Sequence, residues 1–150
     1  MELKDSPVEA EFRARARTWL EETLPTLGGP EPPVLEDKLD YWRTWQGLLY
    51  DAGYAGLSWP KEYGGGGADA KLRAVFNEEL DRANAPERLN IVGEDFAGPT
   101  IIQFGTPAQQ ERYLEPILTG DEIWCQLFSE PDAGSDLASL RTTATKVDGG

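Results

Sequence analysis

A chain of 150 residues can bury about 68–70% of the surface its unfolded form exposes, so one domain, or one domain with the start of another, folds without disulfide or metal. The single cysteine excludes an internal disulfide and a Cys-x-x-Cys site, and the absence of histidine removes the commonest general base, metal ligand and partner of a Ser or Cys nucleophile. Fourteen Lys and Arg against 27 Asp and Glu leave a net charge of -13, which opposes nucleic acid and anionic membrane as partners.

Met1 to Ser6 carry no apolar run of the signal-peptide kind, and no segment approaches the ~18 apolar residues of a membrane span, so a cytoplasmic location is expected. Ser6-Pro7-Val8-Glu9 then reads as a capping box with proline at the first helical position. The helix it opens is predicted to run to about Leu24, where Pro25 stops it. Val8, Phe12, Ala16, Trp19, Leu20 and Leu24 form its apolar stripe, with Arg13, Arg17 and Glu21 on the solvent side. Residues 26–33, rich in Gly and Pro, form a rigid connector. Leu35, Leu39, Trp42, Trp45, Leu49 and Ala52 mark a second helix, and Gly53 stands where a left-handed C-terminal cap belongs.

Leu57-Ser58-Trp59-Pro60-Lys61-Glu62-Tyr63 is a loop that enters Gly64-Gly65-Gly66-Gly67. No Lys-Ser/Thr pair follows these glycines, so a phosphate loop is disfavoured and a flexible turn before a helix is expected. That third helix spans Asp69 to Ala83, with Leu72, Val75, Phe76, Leu80 and Ala83 inward, and is closed by Pro86. A fourth segment, Asn90 to Phe104, contains Gly93, Gly98 and Pro99 and is expected to be kinked. Its glycines admit close approach by another group, either a packed helix or a ligand for which the segment forms a tunnel wall. Thr106-Pro107-Ala108-Gln109 is a second capping box, opening a short helix to Tyr113 or Leu114.

After a turn at Thr119-Gly120-Asp121, Ile123 to Phe128 reads as a buried strand and Thr142 to Val147 as another, ending in Asp148-Gly149-Gly150. Cys125 reads as a small buried apolar residue. The expected class is mainly α: an N-terminal bundle of about five helices over residues 1–120, followed over 121–150 by the first strands of a truncated β domain.

The run Trp124 to Asp136 joins the first of these strands to a polar turn at Pro131-Asp132-Ala133-Gly134. Backbone N–H groups and the hydroxyls of Ser129 and Ser135 can converge there on an anion or the polar edge of a ring, and Gly134 permits a positive φ or a close ligand approach. The same residues also suit a plain corner whose side chains satisfy local backbone. A calcium loop built on Glu130, Asp132 and Asp136 fits poorly, because the spacing departs from Asp-x-Asp-x-Asp-Gly.

The stretch from Ile123 to Ala138 closely resembles the flavin-binding signature of the acyl-CoA dehydrogenase family. Gly56-Leu57-Ser58-Trp59-Pro60-Lys61-Glu62-Tyr63-Gly64-Gly65, Gly98-Pro99-Thr100 and Phe104-Gly105-Thr106-Pro107-Ala108-Gln109 are similar to further family landmarks in the same order. The resemblance implies a helical N-terminal domain followed by the opening strands of the central β domain. It also implies FAD as cofactor and oxidation of an acyl-CoA thioester to 2,3-enoyl-CoA. Gln126, Leu127, Phe128, Ser129, Gly134 and Ser135 are then expected at the cofactor, with Ser135 also near the substrate. Asp132 stands where the family commonly has Gly, placing negative charge near a polyanionic ligand unless it points to solvent.

The family's catalytic glutamate lies in its C-terminal bundle, so no catalytic residue and no metal ligand is assigned here, and the chain is expected to be an inactive fragment by itself. Electron-transfer flavoprotein or a similar acceptor is the implied partner, with a homo-oligomer when complete. Two alternatives stay open: a non-catalytic partner subunit or interaction module, and an acyl-CoA oxidase or flavin monooxygenase of the same fold.

Overall fold

The computed structural model describes residues 4–148, and five α-helices account for most of the regular structure among them. Helix α1, Pro7–Thr23, begins at the expected capping box: the Ser6 hydroxyl accepts from Glu9 N while Glu9 accepts from Ser6 N. Pro25 does not end the helix abruptly; the chain tightens into a 3₁₀ turn, Leu24–Leu27, closed by Gly28 at φ 79. Helix α2, Leu35–Asp51, is followed by Gly53 in the expected left-handed conformation, φ 74. Helix α3, Ala70–Ala83, is capped by the Asp69 carboxylate and closed by Asn84 at φ 51, two residues ahead of Pro86.

The segment expected to kink does so through a π turn, Gly93–Ala97, which runs into helix α4, Gly98–Phe104. Pro99 supplies no N–H to the preceding turn, and the widened turn, with Gly98 N bonded to Gly93 O, absorbs the mismatch. Helix α5, Pro107–Thr119, outruns its predicted end by more than a turn despite Pro116. Burial of Leu114, Ile117 and Leu118 outweighs one missing hydrogen bond, and Gly120 at φ 81 ends the helix.

α1 lies along α3, and α4 and α5 pack as neighbours. The core gathers Phe12, Ala16 and Leu20 of α1, Trp45 and Leu49 of α2, Val75 and Phe76 of α3, and Leu114, Ile117 and Leu118 of α5. An aromatic ladder runs through its centre. Trp45 stacks on Trp19 at 5.5 Å, Trp19 meets Tyr54 at 4.7 Å, and Tyr54 stacks on Phe76 at 4.4 Å.

Arg13 and Arg17 turn out of the expected solvent face toward α3. There they meet Glu79, fully buried and also bonded by Arg82, at 2.7–3.1 Å. Hydrogen bonds from Arg17 first, then from Arg82 and Arg13, hold the Glu79 carboxyl at about 2 against the upward push of burial.

The four glycines are not a flexible turn. Gly65 N bonds Pro60 O, Gly66 N bonds Gly56 O and Gly67 N bonds Trp59 O, so the run folds back onto the preceding loop. A Cβ at Gly65 would collide with the Trp59 and Gly56 carbonyl oxygens, which is why glycine stands there.

The two expected strands do not form among the described residues. The segment 123–128 takes no regular structure and has no ladder partner, and Leu127 and Phe128 are 86% and 65% exposed. Cys125 is exposed with it, not buried as expected. The segment 142–147 is likewise irregular and exposed; Gly149 and Gly150 of that predicted strand, like Met1 to Leu3, lie outside the described residues. A strand's hydrogen bonds are intermolecular or inter-segment by construction, so an apolar, β-branched sequence without a pairing partner stays unpaired.

Candidate functional site

The segment 124–128 and the π-turn–α4 unit face each other across a groove of ≈ 770 Å³. One wall carries Val92, Phe96, Pro99 and Thr100, and the other is the run from Trp124 to Phe128. Apolar side chains dominate both walls, and Phe96 and Phe128 are more than half exposed. A concave apolar surface with unpaired peptide groups along one side suits a flat ligand with a polar edge. Among the described residues, the backbone of 125–129 makes no backbone–backbone hydrogen bond, leaving its N–H and C=O groups available.

The carboxylate in this groove is Asp95. It is engaged by Arg73 at 2.8 Å and Arg88 at 3.1 Å, which spend its charge on fixing the π turn against α3. A smaller cavity of ≈ 320 Å³ adjoins the groove, sharing Asp95, Pro99 and Gln103 with it, and is also lined by Tyr54, Trp59, Phe76, Arg73, Arg88 and Ile102. Its two guanidiniums are balanced by Glu94 and Asp95, so it offers no net charge to a ligand.

The π turn is held from behind by buried polar groups. Glu94, 2% exposed, accepts from Gln46 Nε2 at 2.9 Å, Gly56 N at 2.9 Å and Arg88 at 3.0 Å, and its carbonyl accepts from Trp59 Nε1 at 2.8 Å. Gln46 also donates to Leu118 O, which ties α2 and α5 to the same node. Gly98 is buried, and a Cβ there would overlap the Trp59 ring; Gly93 is closed in the same way by Asn90. Gly98 thus admits the Trp59 ring of the preceding loop and Gly93 the Asn90 side chain of its own segment; neither close approach comes from a packed helix.

Asn90, fully buried, spans the two walls. Its Nδ2 donates to Ile117 O at 2.9 Å and Glu122 O at 2.7 Å, and its Oδ1 accepts from Trp124 N at 2.9 Å. The Trp124 ring packs edge-on to Tyr113, centroids 5.6 Å apart.

Of the expected cofactor residues, Gln126, Leu127 and Phe128 line the groove. Ser129, Gly134 and Ser135 are exposed outside it. Gly134 does not take the positive φ it permits, and a Cβ there would meet no protein atom within 4 Å. The polar turn is a small closed corner instead. Glu130 and Ala133 exchange backbone hydrogen bonds of 2.8 and 3.1 Å, and the Glu130 carboxylate accepts from Arg141 N, Thr142 N and the Thr142 hydroxyl. These bonds, the Thr142 hydroxyl foremost, lower the Glu130 carboxyl below its ordinary range. Asp132 is exposed on the outside of this corner, and no group of His, Cys, Asp and Glu suited to a metal ion occurs among the described residues.

The residues present fit one edge of a flavin site: the peptide groups of 126–128 and an apolar wall opposite. Ser129, Gly134 and Ser135 form no cradle in this arrangement. Glu94, Gln46 and Asn90, which hold the groove's walls, were not foreseen. Their signal was polar side chains inside otherwise apolar helical stretches, where a charge persists only if paired.

The family description "Acyl-CoA dehydrogenase, N-terminal domain" matches residues 6–121, ending just before the groove's second wall. Acyl-CoA dehydrogenase IpdE1 of Mycolicibacterium smegmatis is 47% identical over 146 residues, 91% of this chain and 36% of that protein. The protein of the same name from Mycobacterium tuberculosis is 47% identical over 148 residues, 93% of this chain and 37% of its own length. Among solved structures, the ChsE4-ChsE5 complex from Mycobacterium tuberculosis matches with a TM-score of 0.80 at 33% identity, over 99% of this chain and 37% of that one. A structure titled Tcur3481-Tcur3483 steroid ACAD matches with a TM-score of 0.76 at 32% identity, over 99% and 38%. The chain thus spans little more than a third of the curated relatives it matches.

Proposed function

The chain belongs to the acyl-CoA dehydrogenase family, and on that premise we propose that it is the N-terminal part of an FAD-dependent enzyme that desaturates an acyl-CoA thioester between the α and β carbons. The observation that carries this reading is the groove between the π-turn–α4 wall and Gln126 to Phe128. Residues 1–120 then form the helical domain, and 121–150 begin the next.

In this reading, Val92, Phe96 and Pro99 exclude water from the acyl group, and the peptide groups of 126–128 hold and orient the cofactor ring. Bound FAD supplies the two-electron acceptor. Ser129, Gly134 and Ser135 join the site once the corner at 130–142 is turned inward by further structure, with Ser135 beside the thioester. Asp95, the carboxylate lining the groove, is held by two arginines, and in this reading the base is supplied from outside these residues. The similarity to a steroid acyl-CoA dehydrogenase makes a polycyclic acyl group the first substrate to test.

A second reading, a subunit that pairs with a different chain, is favoured by the two-component titles of the matched structures. Electron-transfer flavoprotein or a similar acceptor is the redox partner that the dehydrogenase reading implies. FAD titration of the 150-residue chain, with dye-coupled acyl-CoA oxidation in parallel, tests it. Saturable flavin binding without turnover is expected. Robust turnover contradicts the fragment, and no saturable flavin signal contradicts the cofactor edge.

A further inference from the structure

We propose that Asn90 is a positioning residue that fixes the register of the segment 124–128 against the opposite wall of the groove. The inference rests on the cofactor reading above and deepens it: one wall of the groove is anchored by a buried side chain from the segment that leads into the other.

The amide of Asn90 offers two N–H groups and one oxygen, and all three are engaged. The donors clamp the last turn of α5 through Ile117 O and the following turn through Glu122 O. The oxygen takes the N–H of Trp124, the first residue of the wall at 124–128. The Asn90 carbonyl accepts from Glu94 N at 2.8 Å, an α-type bond that closes the helical turn leading into the π turn. Gly93 is shaped to this side chain, since a Cβ there would press into the Asn90 amide.

Register is at stake because Trp124, Cys125, Gln126, Leu127 and Phe128 all line the groove, so a slip of one residue shifts every peptide group and side chain of this wall along it. The Trp124 ring against Tyr113 is an apolar contact that tolerates sliding. A hydrogen bond to one particular N–H does not. Among the described residues no neighbouring strand fixes this segment, so its position relative to α4 depends on that bond and the ring.

Asn90→Ala removes the clamp, and Gly93→Ala disturbs it from a neighbouring backbone position. Each is followed in the 150-residue chain by hydrogen exchange at the Trp124 amide, by the line shape of a nitroxide on Cys125, the one cysteine, and by FAD titration. Expected are Trp124 exchange at least about tenfold faster and a more mobile label, with α1–α3 core amides unchanged, since a single hydrogen bond of this kind is worth about a factor of ten. Where the parent takes up FAD, its affinity falls by a similar factor. Unchanged Trp124 exchange and label mobility overturn the proposal, as does a parallel loss of protection throughout the core. If Asn90→Ala does not fold, Gly93→Ala decides by the same criteria. A parent chain that fails to take up FAD overturns the cofactor reading, while the exchange and label results still decide the role of Asn90.

Discussion

Replacing Glu79 by Gln tests whether the α1–α3 seam is held by a buried carboxylate shared among three arginines. The side chain is 2% exposed and receives Arg17 at 2.7 Å, Arg82 at 2.7 Å and Arg13 at 3.1 Å. A carboxyl lowered from 4.5 to about 2 contributes about 3 kcal/mol at neutral pH, at ~1.4 kcal/mol per pH unit. Arg13 keeps Asp5 and Glu78 as partners, and Arg17 is near enough to solvent to be hydrated, so Glu79→Gln loses somewhat less, about 2–3 kcal/mol.

The sign follows from the direction of the shift. The folded protein holds this group ionised below its unfolded value, so the stabilisation is complete above the unfolded 4.5 and is lost as pH falls through the folded value of about 2. Urea unfolding of parent and variant gives the difference directly, because the other carboxylates cancel. That difference should be constant from neutral pH down to about pH 5, shrink to about 1–1.5 kcal/mol near pH 3 and vanish at lower pH. A difference that is near zero at neutral pH, or that does not change across this range, refutes the reasoning.

Gly98→Ala drives a Cβ into the Trp59 ring and is expected to cost about 1–3 kcal/mol in thermal unfolding, with a change in tryptophan emission. Gly65→Ala, which meets two backbone oxygens, should destabilise by a similar ~1–3 kcal/mol, whereas a flexible glycine linker would tolerate it with no change in Tm. Glu130→Gln weakens the corner that fixes Arg141 and Thr142, and tryptic cleavage after Arg141 should accelerate. The same corner should loosen in the parent as pH falls, because the Glu130 carboxyl is held below its ordinary range and its bonds are lost on protonation; line widths of the Thr142 amide report it.

Both capping boxes, the Gly53 cap and the start of every helix through α3 were legible, because each depends on a few adjacent residues. The end of α5 was not. Pro116 argues against helix locally, and only the burial of Ile117 and Leu118 against the other helices overrides it. The solvent side assigned to Arg13 and Arg17 failed for a related reason: periodicity assigns a face, but the partner on that face, Glu79, lies more than sixty positions away. For the groove, the run 124–128 was expected as part of a buried strand leading to a cofactor cradle, not as an exposed wall, and the opposite wall only as a segment whose glycines admit close approach.

The sequence by itself determined the helical class, the family through four ordered landmarks, and the exclusion of histidine and disulfide chemistry, since these rest on residue identity and short-range spacing. Only the tertiary structure decided that the glycine run is packed, that 123–128 lies unpaired and largely exposed, and that Asn90, Gln46 and Glu94 hold the groove. A polar side chain inside a helix becomes a clamp or a liability according to which distant carbonyl, amide or guanidinium folding brings to it. That pairing is a long-range property, and a strand, whose hydrogen bonds must come from another segment, is governed by the same dependence.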